Sequence, residues 1–472
     1  MPDKQHKSET DDKEEISISL EAFKNRWQWI LLILIVLFGA YFRYYHIDYP
    51  VIGYHNWKES RYLEEARNFA DDGFFKYGFL VASFDYPGIH GDPSGAHSGE
   101  FPALSILIAI LFSIFGMSLY IARFFTLLLS LCSIIIMYLL MKELFDREDI
   151  ALSSAFAMAL MPMLVFFTHN VDVINVGLPL MLLGAYFYVL WVKHDKGRDM
   201  ILATVFIMIS AISKYEFLVI GIPMLFIFPW RRLNELRKFG PKYHPYIISV
   251  MIFALLPLQY IYSLYISKVT GSAAVTSSLI DVSVIFTSTW WQTLKAYTAD
   301  NYTILGFYVA LFGIAFMILM FKRKNLGYRF GMGYFIGTIF YFIIMSKKLG
   351  GHSYHQYPVA PFFALMIAYC LVFVATNASK IIKMKIMKPL FIIVLFIILY
   401  FPSAAAWNRQ FDTQFYGLDI AGDYIKGHSQ PDERIIHSDF QDYGVLWHAD
   451  RKGIVGIIPN SCEIRLAEEN LN

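Results

Sequence analysis

The chain has 472 residues, of which 57% are hydrophobic, 17% aromatic and only 17% charged, with a mean hydropathy of +0.47. An ordinary soluble chain is about 45 to 50% apolar, and a soluble fold has nowhere to hide the excess. A net charge of +2, with Lys and Arg scattered through short connectors, leaves no basic stripe for nucleic acid. Cys132, Cys370 and Cys462 match neither a disulfide framework nor a CxxC metal spacing and read as small buried hydrophobes.

Met1 to Arg26 is polar and of mixed charge. The apolar run behind it is too long for a cleaved signal peptide and lacks a small-residue cleavage site, so it is expected to remain as an anchor. Spans are expected near Trp27–Tyr45, Leu119–Met141, Ile150–Phe167, Asp172–Val192, Met200–Ser213, Tyr215–Pro229, Pro245–Leu264, Ile304–Phe321, Phe330–Met345, Tyr357–Thr376 and Pro389–Pro402. This makes about eleven helices on the criterion that roughly 20 apolar residues cross the hydrocarbon. With the N-terminus inside, alternation gathers on the cytoplasmic side Lys142 and Arg147, Lys193 to Arg198, Arg231 to Lys242, Lys322 to Arg329 and Lys380 to Lys388. The same alternation divides Met200–Pro229 into two short spans meeting near Lys214. Ala103–Phe115 is too short to cross and reads as an interfacial or re-entrant helix.

The non-cytoplasmic parts are then a first loop (His46–Pro102), a second (Tyr265–Thr303), a third (Ser346–Gln356) and the tail from Ala406. In the tail, Gly417–Lys426 reads as a helix and Arg434–Ser438 and Gly453–Ile458 as strands, a fragment too small to bury a core alone. The fold class is an all-α polytopic membrane protein with a small α/β tail. It is organised as a cytoplasmic segment 1–26, a transmembrane unit 27–405 and a tail 406–472.

The first loop concentrates polar and aromatic residues from Tyr54 to Phe69. Tyr62, Ala66 and Phe69 fall at helical spacing, so an amphipathic helix is expected on the membrane surface, its N-terminal end presenting His55, Lys58 and Glu59. A carboxylate there can take a proton from an acceptor hydroxyl and a cation can hold a phosphate; the bland alternative is a solvated polar face. A glycine-rich stretch from Gly88 to Pro102 follows and carries Glu100 just before the interfacial helix. Its His90, Asp92 and His97 are suitable donor types for a metal, but their spacing matches no strong zinc pattern. Arg43, Arg123, Asp172, Lys214, Glu216 and His352 all map to one membrane face, where ionisable groups are costly unless paired or functional. Snorkelling for Lys214 and Glu216, and helix capping for Asp172 beside His169, are the alternatives. In the third loop, Gly350 to Pro358 gathers His352, Tyr354 and His355, either a phosphate-binding cluster or an interfacial aromatic belt.

These motifs resemble the polytopic C-type (GT-C) glycosyltransferases, in the branch of protein O-mannosyltransferases and aminoarabinose transferases. The resemblance rests on His55-x-Trp57-Lys58-Glu59 leading to Ala66-Arg67-Asn68-Phe69 and on Glu100-Phe101-Pro102. It rests further on Ile121-Ala122-Arg123, on Lys214 between short spans, and on His352-x-Tyr354-x-Gln356-x-Pro358. It implies a membrane transferase, inverting and of hexosyl type, taking its sugar from a polyprenyl-phosphate donor. The acceptor would be a protein, lipid or cell-envelope glycan on the non-cytoplasmic face, with membrane lipid as the other partner. Glu59, or else His55 or Glu100, would be catalytic. Lys58, Arg123, Lys214 and His352 would face the donor phosphate, with Asp172 and Tyr354 as further candidates. No cofactor is required, although a divalent metal is compatible with the scheme. The departure is Lys58, which stands where the family has Asp in its first-loop Asp-Glu pair. A lipid-linked-substrate transporter should show repeat symmetry and mid-span charges, which this chain lacks. A non-catalytic subunit of a glycan assembly complex would explain the missing Asp.

Overall fold

A computed structural model describes residues 26–82, 99–232, 243–270, 280–384, 386–437, 443–455 and 465. His90, Asp92, His97, Cys462 and the basic run Arg237, Lys238 and Lys242 lie outside the described residues.

Each apolar run forms helix, in the order α1 (Trp27–Tyr44), α2 (Asn56–Asp72), α3 (Ala103–Phe115), α4 (Leu119–Phe145), α5 (Glu148–Leu160), α6 (Pro162–Phe166), α7 (Ile174–His194) and α8 (Gly197–Ser213). A 3-10 turn over Tyr215–Ile220 leads into α9 (Gly221–Ile227), followed by α10 (His244–Phe253), α11 (Leu255–Thr270), α12 (Ser288–Asn301), α13 (Ile304–Leu319) and α14 (Leu326–Ile344). The chain continues through α15 (Ser346–Gly351), a 3-10 turn over Ser353–Val359, α16 (Ala360–Ile382) and α17 (Met387–Phe411). Among the described residues six helices are long and apolar enough to cross a membrane, or seven if α12 and α13, bent by 94°, count as one span. The other expected spans are helical but either shorter or, like the 19-residue α14, less apolar. The third run, for instance, is cut at Met161, held extended ahead of Pro162, because proline disfavours helical backbone in the residue before it.

The interior is built from α4, α5, α7 and α16, whose Tyr138, Met158, Leu182 and Phe362 are fully buried. Outer helices expose large apolar side chains, such as Leu37 on α1 and Phe401 on α17, as hydrocarbon-facing helices should. Cys370 is buried as expected, whereas Cys132 is exposed on α4.

The first-loop helix departs from expectation. Instead of lying on the surface with a solvated polar face, α2 is enclosed. Asn56, Lys58, Glu59, Ser60, Glu64, Glu65, Arg67 and Asn68 are buried together with the apolar Tyr62, Ala66 and Phe69. A charged face tolerates burial only when each charge finds a partner, and α2 is covered by α3 on one side and by the tail on another.

The tail contains α18 (Leu418–His428), β1 (Ile435–His437), α19 (Gly444–Ala449) and β2 (Gly453–Val455), with β1 and β2 paired in parallel from Ile435 opposite Gly453. It is stitched to the first loop: Phe415 N donates to Ile52 O at 2.7 Å, Val51 N donates to His448 Nε2 at 3.2 Å, and Arg67 reaches Asp450 at 3.6 Å.

Candidate active site

His55 caps α2 in left-handed backbone, with φ of 64°. The turn this makes sends Lys58 and Glu59 into the protein, where they go to different partners. Lys58 Nζ lies 3.2 Å from Asp172 Oδ2, both groups being buried. Asp172 also accepts the Ile174 amide at 3.2 Å at the start of α7, so the helix-capping role is real but accounts for only one of its oxygens. Burial by itself would raise the Asp172 carboxyl, but Lys58 and Lys214 outweigh it and hold it below the usual range.

Glu59 turns to Arg123. Nε and Nη2 of the guanidinium donate to its two oxygens at 2.8 and 2.9 Å, in the bidentate geometry that suits this pair. Arg123 Nη1 donates to the carbonyls of Ile47 and Tyr49. Arg123 is thus held by Glu59 and by two backbone carbonyls of the first loop. Arg43 is likewise a structural cation, donating to Ser130 Oγ and to the carbonyls of Gly39, Met158 and Ala159.

The remaining expected residues converge around the ring of Tyr354. Lys58 Nζ is 3.8 Å from its centroid and Lys214 Nζ 4.7 Å, within cation–π reach. The His352 ring stacks on Tyr354 with centroids 5.3 Å apart, and His55 stands edge-on to both, 5.2 Å from Tyr354 and 5.5 Å from His352. Burial, then the neighbouring cations, push the His352 imidazole down to about 4; burial, then His352 and Lys58, push His55 down to about 3. Both rings are therefore neutral at physiological pH.

Lys214 owes its place to the break between α8 and the 3-10 turn. Its backbone is extended, and Phe217 packs so close to Gly177 that a Cβ there would sit 2.0 Å from the ring. Ser210 Oγ ties α8 to the same glycine of α7 by donating to Gly177 O at 2.7 Å. The Lys214 ammonium is buried but makes no hydrogen bond among the described residues; Glu216, at 3.9 Å, is beyond hydrogen-bonding distance. Glu216 is a group that sequence reasoning placed at this face without a role. It bonds His355 Nδ1 at 2.7 Å, accepts from Tyr341 Oη at 3.3 Å, and has Lys348 at 4.0 Å. The sequence offers His355 only as part of the third-loop cluster and gives no sign of Lys348, because only the fold brings the third loop against the turn after Lys214.

Glu100 differs from every other acid here. Glu59 has Arg123, Glu65 has Arg61 and Ser105, Asp172 has Lys58, and Glu216 has His355. Glu100 has no ion pair or hydrogen bond among the described residues and is partly exposed. It lines two cavities, one with Lys214, Glu216 and Lys348, the other with Arg61 and Tyr62. Among the described residues no three His, Cys, Asp or Glu side chains are grouped as a metal would need.

Residues 97–260 match the family model described as dolichyl-phosphate-mannose-protein mannosyltransferase. That stretch contains Glu100, Arg123, Asp172, Lys214 and Glu216. No curated protein matches the sequence significantly. Among solved structures, the chain is similar to the oligosaccharyltransferase of Archaeoglobus fulgidus, captured with a tethered acceptor peptide. The TM-score is 0.61 at 13% identity, over 95% of this chain and 68% of that one. It is similar also to ArnT from Cupriavidus metallidurans bound to undecaprenyl phosphate, with a TM-score of 0.57 at 13% identity, over 94% of this chain and 88% of that one. At such identity the likeness is one of fold, the polytopic GT-C fold of both enzymes.

Proposed function

We propose, from the premise that the chain is a polytopic membrane glycosyltransferase of GT-C type, that it moves a sugar from a polyprenyl-phosphate donor to an acceptor hydroxyl on the non-cytoplasmic face. The observation that carries this reading is Lys214, a buried ammonium that makes no hydrogen bond among the described residues and lines a largely apolar cavity. Burying a charge in that state is costly, and an anionic ligand repays the cost. A phosphate whose tail lies along Leu218, Ile222, Phe340 and Ile344 has its head at Lys214, with Lys348 and His352 beside it.

In this scheme the acceptor oxygen attacks the anomeric carbon, its proton passes to Glu100, and the bond from that carbon to the phosphate oxygen breaks with inversion. Negative charge grows on the departing phosphate, so a fixed Lys214 stabilises the transition state more than the bound donor. Glu100 takes the base role in place of Glu59 because the Glu59 oxygens are committed to Arg123. Lys58, at the position of the family's Asp, is neutralised by Asp172 and shapes the Tyr354 ring contact. The divisions at 26 and 405, and the outward placement of loops and tail, belong to the same proposal, supported by the distribution of basic connectors.

The test is transfer of radiolabelled sugar from polyprenyl-phosphate donors in membranes carrying wild type, Glu100→Gln and Lys214→Met. Transfer by wild type that is lost in both variants supports the reading. No transfer from any donor by well-expressed wild type would turn it toward a lipid-linked-substrate transporter or a non-catalytic subunit.

A further inference from the structure

Lys214 and Glu216 lie two residues apart in one buried stretch and carry opposite charges, yet they do not close. Lys214 Nζ stands 3.9 Å from Glu216 Oε2, whereas Lys58–Asp172, Arg61–Glu65 and Arg123–Glu59 meet at 3.2, 3.1 and 2.8 Å. Attraction between unit charges strengthens as the surroundings become less polar. A gap between two such neighbours therefore needs a restraint.

The restraint acts on Glu216. Its Oε1 is bonded by His355 Nδ1 at 2.7 Å, and the Tyr341 hydroxyl lies 3.3 Å from Oε2 while donating to the His355 carbonyl. His355 is itself fixed. Its ring packs on Tyr354 with centroids 4.4 Å apart. Its 3-10 turn is tied by Asn301 Nδ2 donating to Ser353 O at 3.0 Å, by Tyr302 Oη to Gln356 O at 3.2 Å and by Tyr334 Oη to Pro358 O at 2.7 Å. The carboxylate is thus anchored to a turn that cannot follow it toward Lys214. Lys348 meets the same limit, 4.0 Å from Oε1. Asp172, the other acid whose charge Lys214 offsets, is taken by Lys58 and by the Ile174 amide.

We infer that His355 is a positioning residue: by holding the Glu216 carboxylate short of Lys214, it keeps the ammonium from being neutralised within the protein and leaves it to an anionic head group. The inference rests on the reading of this cavity as the donor site and adds the residue that keeps the site open. Lys214, Glu216, Tyr341 and Lys348 wall the cavity, and His355 acts through Glu216. With the imidazole removed, a shift of the carboxylate by about 1 Å brings it to ion-pair distance. Glu216 then competes with the phosphate for one ammonium.

The experiment uses the full chain in phospholipid nanodiscs and reads undecaprenyl phosphate affinity and ligand-free thermal unfolding. His355→Phe should lower affinity about tenfold, a loss of roughly 1.4 kcal/mol. Glu216→Gln should then raise it at least about fivefold more in the His355→Phe background than in wild type, the non-additivity of a shared network. His355→Asn, which keeps an N–H near the place of Nδ1, should bind as wild type does. Without ligand, Lys214→Met should leave the unfolding temperature of wild type unchanged or higher but lower that of His355→Phe, where it strips Glu216 of its new partner. Should His355→Phe not fold, His355→Leu carries the same expectations. An equal gain from Glu216→Gln in both backgrounds would overturn the inference, because a merely structural imidazole gives no such coupling. So would Lys214→Met leaving the unfolding temperature of His355→Phe unchanged or higher, or His355→Asn binding as weakly as His355→Phe. Wild type that binds no undecaprenyl phosphate would overturn the donor reading instead, since the unfolding arm needs no ligand.

Discussion

The first-loop helix and the segment at Lys214 both bury charge, yet they handle it in different ways. On α2, Glu59 closes on Arg123 with two hydrogen bonds, Lys58 on Asp172, Glu65 on Arg61, and Glu64 contacts Arg67. Around Lys214 the ammonium has no acceptor within hydrogen-bonding distance, and Glu100 has no partner among the described residues. Closed pairs hold the loop and tail in place. Charges left open inside a membrane protein are costly to the empty state and are where a ligand gains most.

The contrast is sharpest under substitution. Glu100→Gln should lower transfer by about 10²- to 10⁴-fold, the range for removing a general base, with expression and thermal unfolding unchanged. A comparable loss of activity that tracked loss of fold would erase the distinction between the two regions. Glu59→Gln should do the reverse, costing about 3 to 5 kcal/mol because it leaves Arg123 buried without its counter-charge. Unfolding temperature in detergent would show it, and Glu59→Gln/Arg123→Met should recover part of the loss. The Lys58–Asp172 pair is expected to behave likewise, Lys58→Met being the more damaging alone because it strips Asp172 of its ion pair, and Lys58→Met/Asp172→Asn milder because both charges are removed together.

The smallest expected effect is on pH dependence. His55 and His352 are held neutral in the fold, with values of about 3 and about 4, whereas in the unfolded chain they titrate near 6.5. Between those limits the unfolded state binds more protons, so stability is full above about pH 6.5 and declines as pH falls toward 4. His352→Asn should flatten that decline in thermal unfolding measured at pH 5 and pH 7.5.

Much of the fold is legible in the sequence because a bilayer demands continuous apolar runs, and every expected span is helical in the structure. What is not legible is which runs are interrupted. The break at Lys214 could be read because basic connectors fix the alternation. The extended Met161 before Pro162 sits inside an apolar run whose hydropathy gives no sign of it. The site was visible as a set of ionisable residues at one face, but not in its pairing. Periodicity placed Glu59 on a helix, and nothing in the spacing of 59 and 123 says that these two close on each other. The same holds for His355 and Glu216, brought to 2.7 Å only by tertiary contact. The burial of α2 is not legible because Glu59, Lys58 and Glu65 find partners remote in sequence, in Arg123, Asp172 and Ser105.

That open charge marks the substrate site is tested most directly by undecaprenyl phosphate binding and thermal unfolding of Lys214→Met beside wild type in nanodiscs. Affinity should fall at least tenfold while the ligand-free protein unfolds at the same or a higher temperature, because a buried ammonium without an acceptor has been removed. Unchanged affinity, or a ligand-free protein that is markedly less stable, would show Lys214 to be one more structural charge.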